Sequence, residues 1–183
     1  MKLSLTFVTG NAGKAKEIEE QLRMPVEQHA LDLHEIQSLD LREILEAKAR
    51  AAFARLQRPV IVDDASVIFT ELNGLPGPLI KWFINSIGND GLCRLADLTK
   101  GRTAIAEVGI GYCDVSNFEA FIATKNGTIA TEPRGTNGYG WDPIFVQEGY
   151  TVTRGELNDE EYKDASIRHS ALEALKTYLD NQK

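Results

Sequence analysis

The run Pro59-Val60-Ile61-Val62-Asp63-Asp64-Ala65-Ser66-Val67-Ile68-Phe69 places two carboxylates between a β-branched run and a second apolar run. Val60 to Val62 reads as a strand and Val67 to Phe69 as a further one, which puts the acids at the end of a strand that looks buried. Removing an unpaired carboxylate from water is costly, so adjacent acids beside a core face a cleft, a cation or a metal. Asp63 and Asp64 are therefore the first candidates for chemistry. This segment alone leaves a plainer alternative open, a turn between strands with both acids solvated.

Upstream, Leu3 to Val8 reads as a strand, Thr9-Gly10-Asn11-Ala12 as a turn and Gly13 to Leu22 as a helix, a β-turn-α unit at the start of the sequence. A second strand is expected over Val26 to His29. Leu41 to Leu56 carries Leu41, Ile44, Leu45, Ala49, Ala52, Phe53 and Leu56 at helical spacing, one buried stripe. Downstream, Asn73-Gly74-Leu75-Pro76-Gly77-Pro78 breaks the chain before a helical region from Leu79 to Leu98, interrupted near Gly88-Asn89-Asp90-Gly91. From Thr103 the texture becomes β. Ala104 to Tyr112 and Glu119 to Thr124 read as paired strands joined by Asp114-Val115-Ser116-Asn117, with a tight turn at Asn126-Gly127. The acidic stretch Glu156 to Glu161 reads as a solvated loop before a last helix, Ser166 to Leu179. Alternating strands and helices followed by consecutive strands predict a mixed α/β fold of two lobes, one β-α and one antiparallel β, around a central cleft.

At 183 residues and 43% hydrophobic the chain is sized for a single domain, 1–183, of two lobes with a full core. Cys93 and Cys113 match no metal spacing, so a reduced, cytoplasmic protein is expected. No run approaches spanning length, which argues against a membrane partner. The net charge of −7 argues against a nucleic-acid binder, which needs a basic footprint. A small anion held by a few lysines remains compatible with it.

Thr9-Gly10-Asn11 ends a strand and opens a helix, where backbone amides and the positive end of the helix dipole can meet an anion, with Lys14 in the first turn. The spacing is not that of a P-loop, and alone it is equally a capped helix with a solvated lysine. Four stretches in fixed order carry more: Thr9-Gly10-Asn11-Ala12-Gly13-Lys14, the segment around Asp63-Asp64, Leu72 to Phe83, and Gly138-Tyr139-Gly140-Trp141-Asp142-Pro143-Ile144-Phe145. With them the chain resembles the inosine triphosphate pyrophosphatase family from near Phe7 to the final helix.

The resemblance implies magnesium-dependent hydrolysis of deaminated purine nucleoside triphosphates, such as ITP, dITP and XTP, to monophosphate and pyrophosphate, by a homodimer that cleanses the nucleotide pool. It implies Asp64 as general base and metal ligand, Glu35 as a second metal ligand, and Lys14, Lys48 and Lys81 as triphosphate-binding lysines. Manganese accepts the same oxygen ligands as magnesium. Asp63 is expected to orient the base or to join the metal's outer shell. Thr9, Gly10 and Asn11 belong with the phosphate-binding residues. Tyr139, Gly140, Trp141 and Asp142 are expected to bind the base, Tyr139 by stacking and Asp142 as an acceptor at its edge.

Two departures stand out. Ala65-Ser66 replaces the serine-glycine or threonine-cysteine pair common in the family, and both residues remain small. Where the family has Ser-His-Arg, this chain has Ser166-Ile167-Arg168-His169. Aligned on Ala171 and Leu172, Ser166 and Arg168 take the serine and arginine places and Ile167 the histidine place. Aligned on Lys163, Arg168 and His169 take the histidine and arginine places. An arginine only donates, so it accepts a 6-oxo purine and rejects the amino group of adenine. The altered segment keeps open a Maf-type pyrophosphatase acting on pyrimidine or modified nucleotides, and a nucleotide-binding sensor without turnover stands as the reading outside enzymes.

Overall fold

The structure, a computed structural model, describes residues 5–10 and 12–182. Its elements run β1 (Leu5–Val8), α1 (Ala12–Leu22), β2 (Val26–His29), α2 (Leu41–Leu56), β3 (Val60–Phe69), β4 (Pro76–Gly77), α3 (Ile80–Asp97), β5 (Thr103–Cys113), β6 (Phe118–Ile129), β7 (Phe145–Gln147), α4 (Asp159–Asp164) and α5 (Ile167–Asp180). The strands form one sheet in the order β2-β1-β3-β5-β6-β7, with β4 paired to β3. This is the expected mixed α/β fold. The chain divides into two compact units, one holding the residues through Asp64 with Val108–Ala123 and those from Arg168 on, the other Ala65–Glu107 with Thr124–Ile167.

In the first unit β1 runs parallel to both β2 and β3. Parallel strands are covered on both faces, and β1 is buried at every position. Strand alternation then sorts side chains between two helix layers. Leu5, Phe7, Ile61, Ile110 and Tyr112 pack with Ala15, Ile18 and Leu22 of α1 and Ala171, Leu172, Leu175 and Leu179 of α5. Val8, Val60, Val62, Cys113 and Phe118 pack with Leu41, Leu45, Ala49 and Ala52 of α2. Leu175 is fully buried at the α5 side. Leu175→Ala is expected to lose about 2–5 kcal/mol of stability, through transferred surface and the cavity left behind, as read by denaturant unfolding.

In the second unit β4 pairs antiparallel with the far end of β3, and β7 pairs antiparallel with the end of β6. Back in the first unit, four residues within Val108–Ala123 join β5 to β6, too few for a parallel crossover, so this pair is a hairpin. Asp114 closes it, its carboxylate accepting the Ser116 and Asn117 N–H groups at 2.7 and 3.0 Å. The break expected near Gly88 is present, since α3 leaves helical geometry there at φ 68° and ψ 178°.

Three expectations are corrected. The acid pair does not end a strand, because β3 continues through Asp63 and Asp64 to Phe69. Asn126-Gly127 is not a turn. Both residues lie within β6, and Gly127 pairs with Gln147, where a Cβ would come within 2.4 Å of the Val146 carbonyl oxygen. The acidic stretch after Thr153 is not a solvated loop but two capped helical starts, with Thr153 and Glu156 forming one capping box and Asn158 and Glu161 another. Among the described residues, no helix is long and apolar enough to cross a membrane.

Candidate active site

Because β3 runs straight through the acid pair, its two side chains leave on opposite faces. Asp63 follows Ile61 onto the α1 and α5 side, and Asp64 follows Val62 onto the α2 side. Asp63 is 6% exposed and its Oδ2 accepts from Lys14 Nζ at 2.9 Å and from Arg168 Nη2 at 3.2 Å. Burial pushes its pKa up, but Lys14 and Arg168 outweigh that and hold it below the usual carboxylate range. Asp63 is thus a fixed counter-ion of Lys14 and Arg168.

On the other face the loop after β2 brings Glu35 to α2, where Lys48 Nζ lies 3.1 Å from Glu35 Oε1 and 3.6 Å from Asp64 Oδ2. The same ammonium donates to the Asp63 carbonyl at 3.2 Å, which anchors it to the strand. Burial lowers the Lys48 pKa, yet Asp64 and Glu35 together raise it above the ordinary lysine value. Lys48 is therefore held charged, gathering two carboxylates that are themselves 40% and 27% exposed. The order of exposure separates the acids: Asp64 is open enough to meet a solute and Asp63 is not.

Of the turn expected to bind phosphate, Thr9 donates its N–H to the His29 carbonyl at 2.9 Å and its carbonyl accepts from the Gln28 side chain at 3.1 Å. Gly10 is exposed with open space above its backbone, and Asn11 lies outside the described residues. In α5, Arg168 is buried against Asp63 while the neighbouring His169 is exposed, and Ala171 and Leu172 sit in the core. The register aligned on Ala171 and Leu172 is therefore the one with a fixed arginine.

The second unit carries its own cluster. Tyr139 is 43% exposed, whereas Trp141 is 7% exposed and packs edge-on against Phe145. Asp142, expected at a base edge, is 2% exposed, and three protein donors converge on it. Its Oδ1 accepts from Arg154 Nε at 2.7 Å, and its Oδ2 accepts from the Tyr139 N–H at 2.7 Å and the Tyr162 hydroxyl at 2.8 Å. Asp142 is an anchor of the Tyr139 turn. Gly138 and Gly140 adopt positive φ, and a Cβ on Gly138 would fall 2.2 Å from Asp142 Oδ2, so the turn closes directly onto the carboxylate. Lys81, in the first turn of α3, and Lys163, in the last turn of α4, are exposed; Ser166 is half-buried just before α5.

Arg154 and Tyr162 escaped the sequence reading, since an arginine and a tyrosine on either side of an acidic stretch have no fixed spacing to Asp142. The signal available was Thr153-Arg154-Gly155-Glu156, a capping-box pattern that predicts a fixed rather than mobile backbone.

A magnesium ion needs hard oxygen donors and keeps several waters. Glu35 and Asp64, converging on one ammonium, are such donors. Among the described residues no group of three or more His, Cys, Asp or Glu side chains is arranged to hold a metal.

An α/β domain with a parallel β1-β3 pair, whose acid pair is split between a buried counter-ion and an open carboxylate-lysine cluster, is the class that fold and site define. The chain belongs to the Ham1 family, whose model it matches over residues 5–178. It is 40% identical to the inosine triphosphate pyrophosphatase of Yarrowia lipolytica over 97% of this chain and 96% of that protein. It is 38% identical to the dITP/XTP pyrophosphatase of Methanopyrus kandleri, covering 98% and 97% of the two chains. The structure of a HAM1 protein from Coxiella burnetii superposes with a TM-score of 0.87 at 26% identity, covering 98% of this chain and 99% of that one.

Proposed function

We propose that this protein hydrolyses deaminated purine nucleoside triphosphates, ITP, dITP and XTP, to the monophosphate and pyrophosphate, with the whole chain acting as one catalytic domain. The observation that carries this is the convergence of Glu35 and Asp64 on Lys48, with Asp63 kept apart as the partner of Lys14 and Arg168. Near-full-length similarity to proteins named for these substrates supports it.

Phosphoryl chemistry is mostly positioning and charge neutralisation. Asp64 takes a proton from the attacking water as its oxygen bonds to phosphorus, and the bond to the oxygen bridging the α and β phosphates breaks, releasing pyrophosphate. Glu35 and Asp64 would hold magnesium, or manganese, which when bound neutralises charge developing on the phosphates. Lys14, Lys48 and Lys81 bind the triphosphate, with the Thr9 to Asn11 turn. Tyr139 is assigned to stack on the base, with Gly140, Ser166 and Lys163 beside it in the binding set. Arg168, rather than the exposed His169, is assigned the donor to the 6-oxo group. A cytoplasmic homodimer completes the proposal.

The test is pyrophosphate release from inosine, xanthosine, adenosine, guanosine and deoxyuridine triphosphates, with magnesium and with chelator. Turnover of the first two is expected to exceed that of adenosine triphosphate by about a hundredfold or more, because a donor facing adenine's amino group leaves buried polar atoms mismatched. Chelation should abolish it. Preference for deoxyuridine triphosphate would mean that Ile167 and its neighbours have redirected the base site, and absence of turnover would leave a sensor.

A further inference from the structure

We infer that Arg154 is a positioning residue for base recognition, holding the Tyr139 turn and the residue before Ser166 in one fixed frame; this rests on the pyrophosphatase function proposed above. The guanidinium is 5% exposed and joins three separate parts of the second unit. Its Nε donates to Asp142 at 2.7 Å, and its Nη1 donates to Gln147 Oε1 of β7 at 3.2 Å and to the Ala165 carbonyl at 2.7 Å. Its Cζ lies over the Tyr162 ring, 4.6 Å from the ring centre, and over the Trp141 ring at 6.0 Å. A planar fork can meet acceptors in several fixed directions at once, which a lysine ammonium on a flexible stem cannot.

Asp142 passes this constraint to the turn. Through its second oxygen it holds the Tyr139 N–H and the Tyr162 hydroxyl, and Gly138 closes over that oxygen without room for a Cβ. Ala165 immediately precedes Ser166, so the same guanidinium also fixes the start of the Ser166 segment. Both segments belong to the assigned base-binding set, while none of the groups Arg154 touches is assigned to the phosphates or the metal. Its loss should accordingly separate the base from the phosphate chain in kinetics.

The experiment uses the full chain with magnesium, comparing wild type, Arg154→Lys and Tyr162→Phe. It reads KM and kcat for inosine triphosphate, discrimination against adenosine triphosphate, and the inhibition constant of inorganic pyrophosphate, a probe without a base. Arg154→Lys keeps the charge and loses the fork. It is expected to raise KM roughly 10- to 100-fold, as for a lost hydrogen bond to a charged group, and to narrow the base discrimination, with kcat and pyrophosphate inhibition near wild type. Tyr162→Phe removes one donor to Asp142 with little change of volume and should raise KM several-fold in the same sense. An unchanged KM in folded Arg154→Lys overturns the inference. So does a parallel rise in KM and in the pyrophosphate inhibition constant, which marks general loosening. If Arg154→Lys does not fold, Tyr162→Phe decides, and wild-type kinetics there overturn the inference. A folded wild type that turns over neither inosine nor xanthosine triphosphate is a different failure, removing the pyrophosphatase function and this inference with it.

Discussion

Asp64→Asn is expected to turn over inosine triphosphate roughly a hundred- to ten-thousand-fold more slowly than wild type, the range lost when a general base is removed. The substitution keeps size and one oxygen donor, and Lys48 keeps Glu35 as a partner at 3.1 Å. The fold around it should be undisturbed, because Asp64 lies on the half-open side of β3 and the buried ion pairs belong to Asp63. Substrate binding, measured by calorimetry on the inactive variant with magnesium, should persist within about tenfold, since the lysines are intact and each tenfold corresponds to about 1.4 kcal/mol. Pyrophosphate release at the wild-type rate would remove Asp64 from the chemistry.

Asp63→Ala should act on stability instead, at an expected cost of about 3–5 kcal/mol, the loss seen when one partner of a buried ion pair is removed. Arg168, at 6% exposure, dominates that cost, and Lys14, at 21%, is partly relieved by water. The pH dependence follows from Asp63 being held below its ordinary range by Lys14 and Arg168. A depressed folded pKa gives stability that is fully present above the unfolded aspartate value of about 4 and is lost as pH falls through the lower folded value. Denaturant unfolding between neutral pH and about pH 3 should therefore show the wild type losing its advantage over Asp63→Ala on acidification, over a range set by these pKa values. A constant difference across that range would mean that the ion pairs contribute nothing specific. The two neighbouring aspartates are thus expected to fail differently, one in turnover and the other in folding.

Much of the fold is legible in the chain. The α2 stripe from Leu41 to Leu56 specifies a helix with those bounds, because burial of one face imposes a helical period. The interruption at Gly88 shows in the sequence because glycine there takes a φ of 68°. Asn126-Gly127 misleads for a related reason: a glycine that suits a turn also suits a close strand pairing, and only the presence of β7 decides between them. From sequence the acid pair reads as a strand end, because two carboxylates look incompatible with a buried strand. Lys14, Arg168 and Lys48 remove that incompatibility from three different helices.

The site divides in the same way. The sequence alone singled out Asp63 and Asp64, placed Lys48 on an amphipathic helix and, through its motifs, identified the family. The tertiary structure decided which aspartate is open, which of Arg168 and His169 is held inside, and that Asp142 is an anchor tied to Arg154 and Tyr162. The physical reason is that spacing along the chain fixes the face on which a side chain leaves its own element. The partner that waits on that face comes from elsewhere in the chain, 105 residues away for Asp63 and Arg168, and that partner sets whether a carboxylate is a buried counter-ion, an anchor or an open group.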